Sequence, residues 1–590
     1  MPRRLGRPAR PARISWSRAA RSSGTTRPPR RIARWWGRSR SRCVVERAET
    51  LRETSAWRRL EWHRADVRHS RLRGLFDGDP GRGERLAAEA AGLYLDYSKH
   101  LLTDETLELL RKLAAERGLP SRIAAMFRGD RVNVSEDRPA LHIALRMPRS
   151  RSLVVDGVDV VRQVHEEQDR VNALAEAVRS GSWVGATGRP IRTVVNLGIG
   201  GSHLGPALAC EALRPYATAG VRYRFVSSVD PAALAEAIRD LDPAETLFVV
   251  VSKTMTTLET LTNARAAEGW LRDALGGEVQ LQRHFLGVTA HPDAAAALGI
   301  PPDNVFRIWD WVGGRTSLCS AAGLTTCIAL GPDGFRELLD GFRAMDEHFV
   351  TTPLGGNLPA IAGLIAVWYR NFLGAQSTAV VPHSHGLRLL PPYLQQLAME
   401  SNGKRVTASG EPVEVDTAPV TWGGEGTDAQ HAFFQLLHQG TVLCPVDLVA
   451  LARPATGDSE GHDLLAANVF AQAAALAFGR TAEELDALGV DEREIPHRVL
   501  PGDRPTSVIL ARLLRPATLG ALIAFYEHSV FTQAAIWEID AFDQWGVELG
   551  KELALRLTPE LGEGWKRELL HDSSTNALVR RYRQLRDAGD

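Results

Sequence analysis

Residues 194–206 read V-V-N-L-G-I-G-G-S-H-L-G-P, and this stretch decides the fold class. It begins apolar and β-branched, as a buried strand does. It then breaks into Gly198, Gly200 and Gly201, followed by Ser202. Glycines let the backbone approach a ligand closely, and successive N–H groups in such a turn form an anion-sized nest. Pro206 is expected to open the following helix, since proline is tolerated in the first turn. Strand, glycine turn and helix start make a phosphate-site layout, although the same order also serves as a plain tight connection. Nucleotide sites fit poorly. The fingerprint G-x-G-x-x-G fails at its sixth position, where His203 stands, and no G-K-[ST] follows a glycine spacer anywhere in the chain.

Downstream, residues 221–227, 247–251 and 285–290 read as strands, with helices over 231–240 and from 258 to about 275. Strands alternating with helices indicate a doubly wound parallel sheet, with ligands beyond the carboxyl ends of its strands. Upstream, 54–150 has a helical pattern. It includes a helix over 103–117 with a Thr-Asp-Glu start suited to a cap, strand candidates at 141–145 and 152–156, and then a long helix over 161–180. A second α/β unit begins near Gly355. Its expected elements are a helix over 361–372, a strand at 378–381, a helix at 393–399, a strand at 413–416, a helix at 430–435, a strand at 446–450, and helices at 466–478 and 516–539. The last 40 residues read as a helical arm.

At 590 residues the chain is too long for one compact core, and 44% hydrophobic with 24% charged residues is an ordinary globular balance. No run of 18 apolar residues offers a membrane span. The net charge of +1 hides an asymmetry. Residues 1–50 hold 15 arginines and two acids, for +13, whereas the remainder has 56 basic and 68 acidic residues, for −12. An acidic body argues against a nucleic-acid-binding core. The segment 1–50 is expected to be disordered, and it reads as a dispensable extension, a targeting peptide or a nucleic-acid arm. Five scattered cysteines, with no C-x-x-C, fit a reducing compartment better than a disulfide or zinc framework. Only six lysines accompany 65 arginines, and three of them, Lys253, Lys404 and Lys551, fall within the motifs below. Lysine supplies a compact, titratable charge that arginine does not.

The run Ser252, Lys253, Thr254, Met255, Thr256 and Thr257 offers four hydroxyls, an ammonium and helix-start amides, which are natural phosphate ligands. W-D-W-V-G-G-R-T-S places Arg315 after two glycines, either to stabilise an oxyanion or to form a structural ion pair. In Y-L-Q-Q-L-A-M-E-S-N-G-K, Gln396 and Glu400 are spaced i, i+4 and share a helix face. Glu400 is a candidate general base, or else a solvated helix-end carboxylate. His431 opens a helix after a glycine turn, as a proton carrier or as a surface histidine. F-D-Q-W-G-V-E-L-G-K carries Gln544 and Lys551.

Taken in order, N-L-G-I-G-G-S, V-S-K-T-M-T-T, W-D-W-V-G-G-R, Q-Q-L-A-M-E-S-N-G-K, G-T-D-A-Q-H-A-F and F-D-Q-W-G-V-E-L-G-K resemble the signature segments of the glucose-6-phosphate isomerase family. The resemblance implies an α/β fold of two doubly wound parallel-sheet sugar-isomerase domains, with a helical N-terminal segment and a C-terminal arm. The expected division is an extension over 1–50, a mostly helical segment over 51–150, a first domain over 151–330, a larger second domain over 331–551 and an arm over 552–590. It also implies a cytoplasmic homodimer acting on a sugar phosphate without metal or cofactor, and without nucleic acid or membrane as partner. Glu400 is then the base moving a proton between C1 and C2. His431, supplied by the neighbouring subunit, and Lys551 open the ring, and Arg315 stabilises the enediolate. Gly201, Ser202, Ser252, Lys253, Thr254, Thr256, Thr257, Gln396 and Gln544 hold the substrate. The alternative is a sugar-phosphate-binding regulatory module without chemistry. The sequence departs from the family at His203, where aspartate is expected, at Leu258 for glutamine, and at Thr316 for an aromatic.

Overall fold

The computed structural model describes residues 49–217, 220–276, 280–457, 459–562 and 564–588; the extension expected over 1–50 lies outside them but for its last two residues. The strands in chain order are β1 (Ala87–Ala90), β2 (Leu93–Lys99), β3 (Val154–Val155), β4 (Val158–Asp159), β5 (Thr193–Leu197), β6 (Arg222–Val226), β7 (Thr246–Val251), β8 (Phe285–Thr289), β9 (Val305–Arg307), β10 (Ser377–Pro382), β11 (Val420–Gly423), β12 (Val446–Leu451) and β13 (Thr506–Ala511). They build a two-stranded hairpin, β3-β4, and two larger sheets ordered β6-β5-β7-β8-β9 and β1-β2-β13-β12-β10-β11.

The first large sheet is parallel throughout. Every residue of β5, β7 and β8 is buried, because both faces are covered. Val194, Leu247 and Val249 join one core with the long helices Val160–Arg179 and Leu324–Thr351. Val195, Phe248 and Val250 join another with Leu234, Ala267 and Leu271. This alternation is the period of two that a double winding requires.

The second sheet is parallel from β13 to β11, but β2 and β1 add antiparallel at its edge. The N-terminal segment, expected to be mostly helical, thus contributes a hairpin to a sheet whose other strands follow residue 376. Three expectations give way. Residues 142–146 form a 3-10 helix rather than a strand. The strand expected at 413–416 lies instead at β11, and β13 has no counterpart in the sequence reading. The helix expected at 430–435 is divided into Gly426–Ala432 and Phe434–Gln439.

One helix, Pro516–Trp537, sits in the main hydrophobic core. It is buried on nearly every side and mostly apolar, as suits a helix enclosed by others. It crosses Leu324–Thr351 at two glycines. A Cβ on Gly341 would lie 1.9 Å from the Ala517 oxygen, and one on Gly520 would lie 2.1 Å from the Leu338 oxygen. Beside the crossing, Arg146 is enclosed with Asp346 at 2.6 Å and Glu527 at 2.7 Å, and His528 meets Asp346 at 2.7 Å.

Asp447, on β12, is also interior, with the Tyr526 hydroxyl donating at 3.2 Å. Burial pushes its carboxyl up to about 6. The folded value exceeds the ordinary one, so the folded state holds the proton more tightly. The contribution to stability is whole below the ordinary value and is lost as pH rises through the folded one. Asp447→Asn is expected to flatten the fall in thermal midpoint between about pH 4 and about pH 6. The difference from wild type should reach up to about 3 kcal/mol, measured by denaturation across that range.

Candidate active site

The glycine loop after β5 starts a helix at once, over Gly201–Ala212, and Pro206 lies inside it rather than opening it. Proline removes one N–H from the helix, which leaves the Ser202 carbonyl without its i+4 donor. The Asn196 amide on β5 donates to that carbonyl at 3.1 Å, and the Thr325 hydroxyl holds the other end of Asn196 at 3.1 Å. Gly200 has φ +59°, and a Cβ on Gly201 would lie 1.8 Å from the Gly314 oxygen. The loop therefore packs backbone to backbone on the turn preceding Arg315, which only glycine permits.

The turn after β7 brings the Ser252 hydroxyl within 3.0 Å of that of Thr257, and the Thr254 hydroxyl within 2.7 Å of that of Thr256. Met255 between them has φ +52° and is buried. A left-handed methionine is a strained turn of the kind that collects at binding sites. The Lys253 ammonium donates to the carbonyls of Asp310 (2.8 Å) and Val312 (3.0 Å), which leaves it one free N–H. Burial lowers its pKa.

These turns border a cleft of about 460 Å³. It is lined by Gly201, Ser202, Ser252, Lys253, Thr254 and Thr257, and also by Gln396, Glu400, Gln544 and Lys551. The structure thus gathers ten sequence-predicted residues from four separated segments. Gln396 and Glu400 lie on a π-helical turn, Gln396–Glu400, continuing the helix Leu390–Gln395. Such turns are common at functional sites. Neither Gln396 Oε1 nor Glu400 Oε2, both buried at the wall of the cleft, has a hydrogen-bond partner within the protein.

Arg315 is buried just behind the cleft. Its Nε donates to Ser401 Oγ (2.7 Å), Nη1 to Gln544 Oε1 (3.1 Å), and Nη2 to the carbonyls of Ala541 (2.5 Å) and Asp543 (3.0 Å). Nη1 also stands 3.7 Å from Glu400 Oε1. Burial lowers the arginine's pKa, and Glu400 and Asp543 oppose the shift. Lys551 is exposed and pairs with Glu548 at 3.0 Å.

Besides Arg315, two sequence-predicted residues do not line the cleft. Thr256 is exposed beyond its lining, touching it only through Thr254. His431, in the last turn of Gly426–Ala432, is exposed and does not line it. Of the three departures, Thr316 lines the cleft, Leu258 opens the exposed start of Leu258–Leu275, and His203 packs edge-on against Phe225 with ring centroids 5.8 Å apart. Among the described residues, no cluster of three or more His, Cys, Asp or Glu side chains is arranged for a metal ion, and no helix is long and apolar enough to cross a membrane. Cys210, Cys319, Cys327 and Cys444 are buried and unpaired, and Cys43 lies outside the described residues.

Sequence reasoning missed several residues. Asn133, Glu136 and His142 line the cleft from the N-terminal segment. Burial, then the charges of Arg146, His528 and Arg315, hold His142 well below its ordinary range. Lys404 donates to Asp543 Oδ1 at 2.6 Å and to the carbonyls of Asp540 and Asp543 at 2.8 Å, bracing the loop that presents Gln544. Its only signal was the rarity of lysine.

Two parallel-sheet units, a pair of hydroxyl- and amide-rich loops, and a carboxylate beside a buried guanidinium define a class. Such a protein can grip an anionic, hydroxylated small molecule and exchange its protons. Comparison with known proteins narrows the class. Residues 96–579 match the family Phosphoglucose isomerase. The glucose-6-phosphate isomerase of Anaeromyxobacter dehalogenans (strain 2CP-C) is 59% identical over 544 residues, 92% of this chain and 99% of its own. That of Deinococcus radiodurans is 55% identical over 536 residues, 91% of this chain and 99% of its own. The crystal structure of a glucose-6-phosphate isomerase from Chlamydia trachomatis superposes with a TM-score of 0.79 at 32% identity, covering 91% of this chain and all of that one. The chain belongs to the phosphoglucose isomerase family.

Gly201→Ala is expected to force the loop off the Gly314 turn and to lower stability by about 1–3 kcal/mol. Gly314→Ala, whose Cβ would meet nothing within 4 Å, is the matched control and should change little. Denaturant melts of the two variants distinguish these outcomes.

Proposed function

We propose that the chain interconverts D-glucose 6-phosphate and D-fructose 6-phosphate, an aldose–ketose isomerisation of glycolysis and gluconeogenesis, in the cytoplasm. The observation that carries this reading is the placement of Glu400. One carboxylate oxygen lacks a protein partner while the other stands 3.7 Å from a buried guanidinium, in a cleft lined by Ser202, Ser252 and Thr257.

An aldose–ketose shift needs an anion anchor, a base at carbon, a cation beside the enediolate oxygen, and a donor and acceptor for ring opening. Gly201, Ser202, Ser252, Lys253, Thr254, Thr256 and Thr257 make the anchor, chiefly through hydroxyls and amides, since two N–H groups of Lys253 are already engaged. Gln396 and Gln544 position the sugar. Glu400 removes the proton from C2 of the open aldose and returns it to C1 through a cis-enediolate, and Arg315 stabilises the developing charge. Lys551 and His431 open the ring. Such chemistry needs no hydride carrier and no metal. A binding module without chemistry is not favoured, because Glu400 and Lys551 line one cleft and Arg315 stands directly behind Glu400.

We assign the working form to a homodimer in which His431 serves the neighbouring subunit's cleft. The exposed position of His431 supports this assignment, as do the uncovered Leu549, Leu553 and Leu555 on the arm helix Glu548–Leu561. We also keep the division at 150, 330 and 551 as a working one.

Glu400→Gln keeps the shape and removes the base. A coupled assay of fructose 6-phosphate conversion should show kcat reduced by about 10²–10⁴-fold. An inactive wild type would overturn the isomerase reading, and an undiminished variant would overturn the base. Mixing Glu400→Gln with His431→Ala subunits tests the shared site. Each hybrid dimer then holds one intact site, and equal mixing should restore about a quarter of wild-type activity. Absence of recovery under demonstrated subunit exchange counts against the assignment of His431.

A further inference from the structure

His142 borders the cleft and has no part in the roles given above to Glu400, Arg315, Lys551 and His431. It opens the 3-10 helix His142–Arg146 and is 4% exposed. Besides the substrate cleft it lines a chamber of about 20 Å³ behind it, with Arg315, Thr316, Ser401 and Glu527 in the wall. A water needs roughly 10–15 Å³ of such space, so one fits. Gly313, Thr316 and Phe542 also border both spaces, so His142 belongs to the partition between cleft and chamber.

The ring differs from three other interior histidines. His100, His383 and His528 each bond the protein through one nitrogen and have the other sealed by packing. Among the described residues nothing bonds to either nitrogen of His142, and neither is sealed. An imidazole in this state presents its N–H and its lone pair to the space it lines. Burial, then Arg146, His528 and Arg315, keep it neutral. The ring is 6.0 Å from that of Phe542, whose neighbours Ala541 and Asp543 accept from Arg315. Arg315 in turn stands 3.7 Å from Glu400. His142 therefore flanks the pair assigned to enolisation.

An aldose–ketose shift moves two protons, and Glu400 accounts for one. Once Glu400 has taken the C2 proton, the enediolate carries its charge on O1 and a proton on O2. The ketose needs the reverse. A neutral imidazole suits this step, because it donates to a developing oxyanion and accepts a hydroxyl proton without changing its own net charge over the cycle. Given the isomerase reading above, on which this rests, we propose that His142 is a catalytic residue that carries the proton from O2 to O1. One nitrogen gives its N–H proton to O1 and takes the O2 proton in its place. Glu400 then returns its proton to C1 as the C2 carbonyl forms. The imidazole ends as it began, and no further reactant is consumed.

Turnover by the wild type comes first, since an inactive wild type strikes the isomerase reading itself. His142→Gln keeps hydrogen-bonding groups and cannot pass the proton. In deuterated water its kcat from glucose 6-phosphate to fructose 6-phosphate should fall by about 10²-fold. Deuterium entering C2 of the recovered glucose 6-phosphate, relative to ketose formed, should rise about ten-fold or more, because Glu400 still forms the enediolate. Interconversion of the glucose 6-phosphate anomers, which needs ring opening alone, should keep its rate. An unchanged ratio of exchange to isomerisation overturns the proposal even where kcat has fallen, since a loss of folded enzyme scales both rates alike. A crystal structure of the wild type with an open-chain hydroxamate phosphate, whose two oxygens stand for O1 and O2, decides the matter if the variant does not fold. One His142 nitrogen should lie about 3 Å from both oxygens. A nitrogen out of hydrogen-bond reach of either one overturns the assignment.

Discussion

The guanidinium of Arg315 is the interaction on which the cleft depends. A buried cation costs several kcal/mol unless its donors are met. Arg315 meets its own with Ser401 from the end of the helical run carrying Glu400, and with Ala541, Asp543 and Gln544 from the loop before the arm. Its own carbonyl accepts from the Tyr393 hydroxyl at 3.0 Å. One side chain thus fixes three segments distant in sequence. Because those acceptors occupy the fork, Glu400 stands at 3.7 Å rather than in a bidentate pair that would engage both its oxygens. The carboxylate is placed by charge and left with a free oxygen.

The same region explains why small residues crowd around the loops. Gly201 touches the Gly314 carbonyl, and the Gly314 turn is held from below by Lys253 through Asp310 and Val312. The anion loops and the arginine turn are therefore one packed unit. Lys404 and Asp543 brace the opposite wall, with Ser135 donating its backbone N–H to Asp540 at 3.0 Å. Preorganisation of this kind is what allows fixed dipoles to act on developing charge without rearranging first.

What was legible in the sequence was what depends on local chemistry. Glycines at 198, 200 and 201 announce a loop wherever they are folded, and four hydroxyls within residues 252–257 announce a polar turn, which borders the cleft. The strands β5, β7 and β8 are mostly apolar and buried along their whole length, and could be found by pattern. What was hidden depends on distant partners. The π-turn at 396–400 has no local signature. The pairing of β2 with β13 joins residues some 400 positions apart. Lys404 acquires its role only from Asp540 and Asp543, 136 and 139 residues later. Pro206 was misplaced because its missing N–H is compensated by Asn196, a side chain on the preceding strand, which local capping rules do not include.

On the proposed roles, the steps of the reaction divide by what they need. Proton transfer at carbon uses Glu400 and Arg315, both fixed within one chain by buried contacts. Ring opening needs a donor and an acceptor at the sugar's ring and anomeric oxygens, and of the two residues proposed for it, Lys551 and His431, one chain brings Lys551 to the cleft. Lys551 itself lies on an exposed arm helix, paired with Glu548 rather than locked by the core. The helix Glu548–Leu561 has no fully buried residue. The ring-opening groups are thus the least constrained part of the cleft, and the enolisation pair the most constrained. Assembly of two chains would then act on the first step and leave the second intact, so that an isolated subunit handles the open-chain sugar better than its ring form.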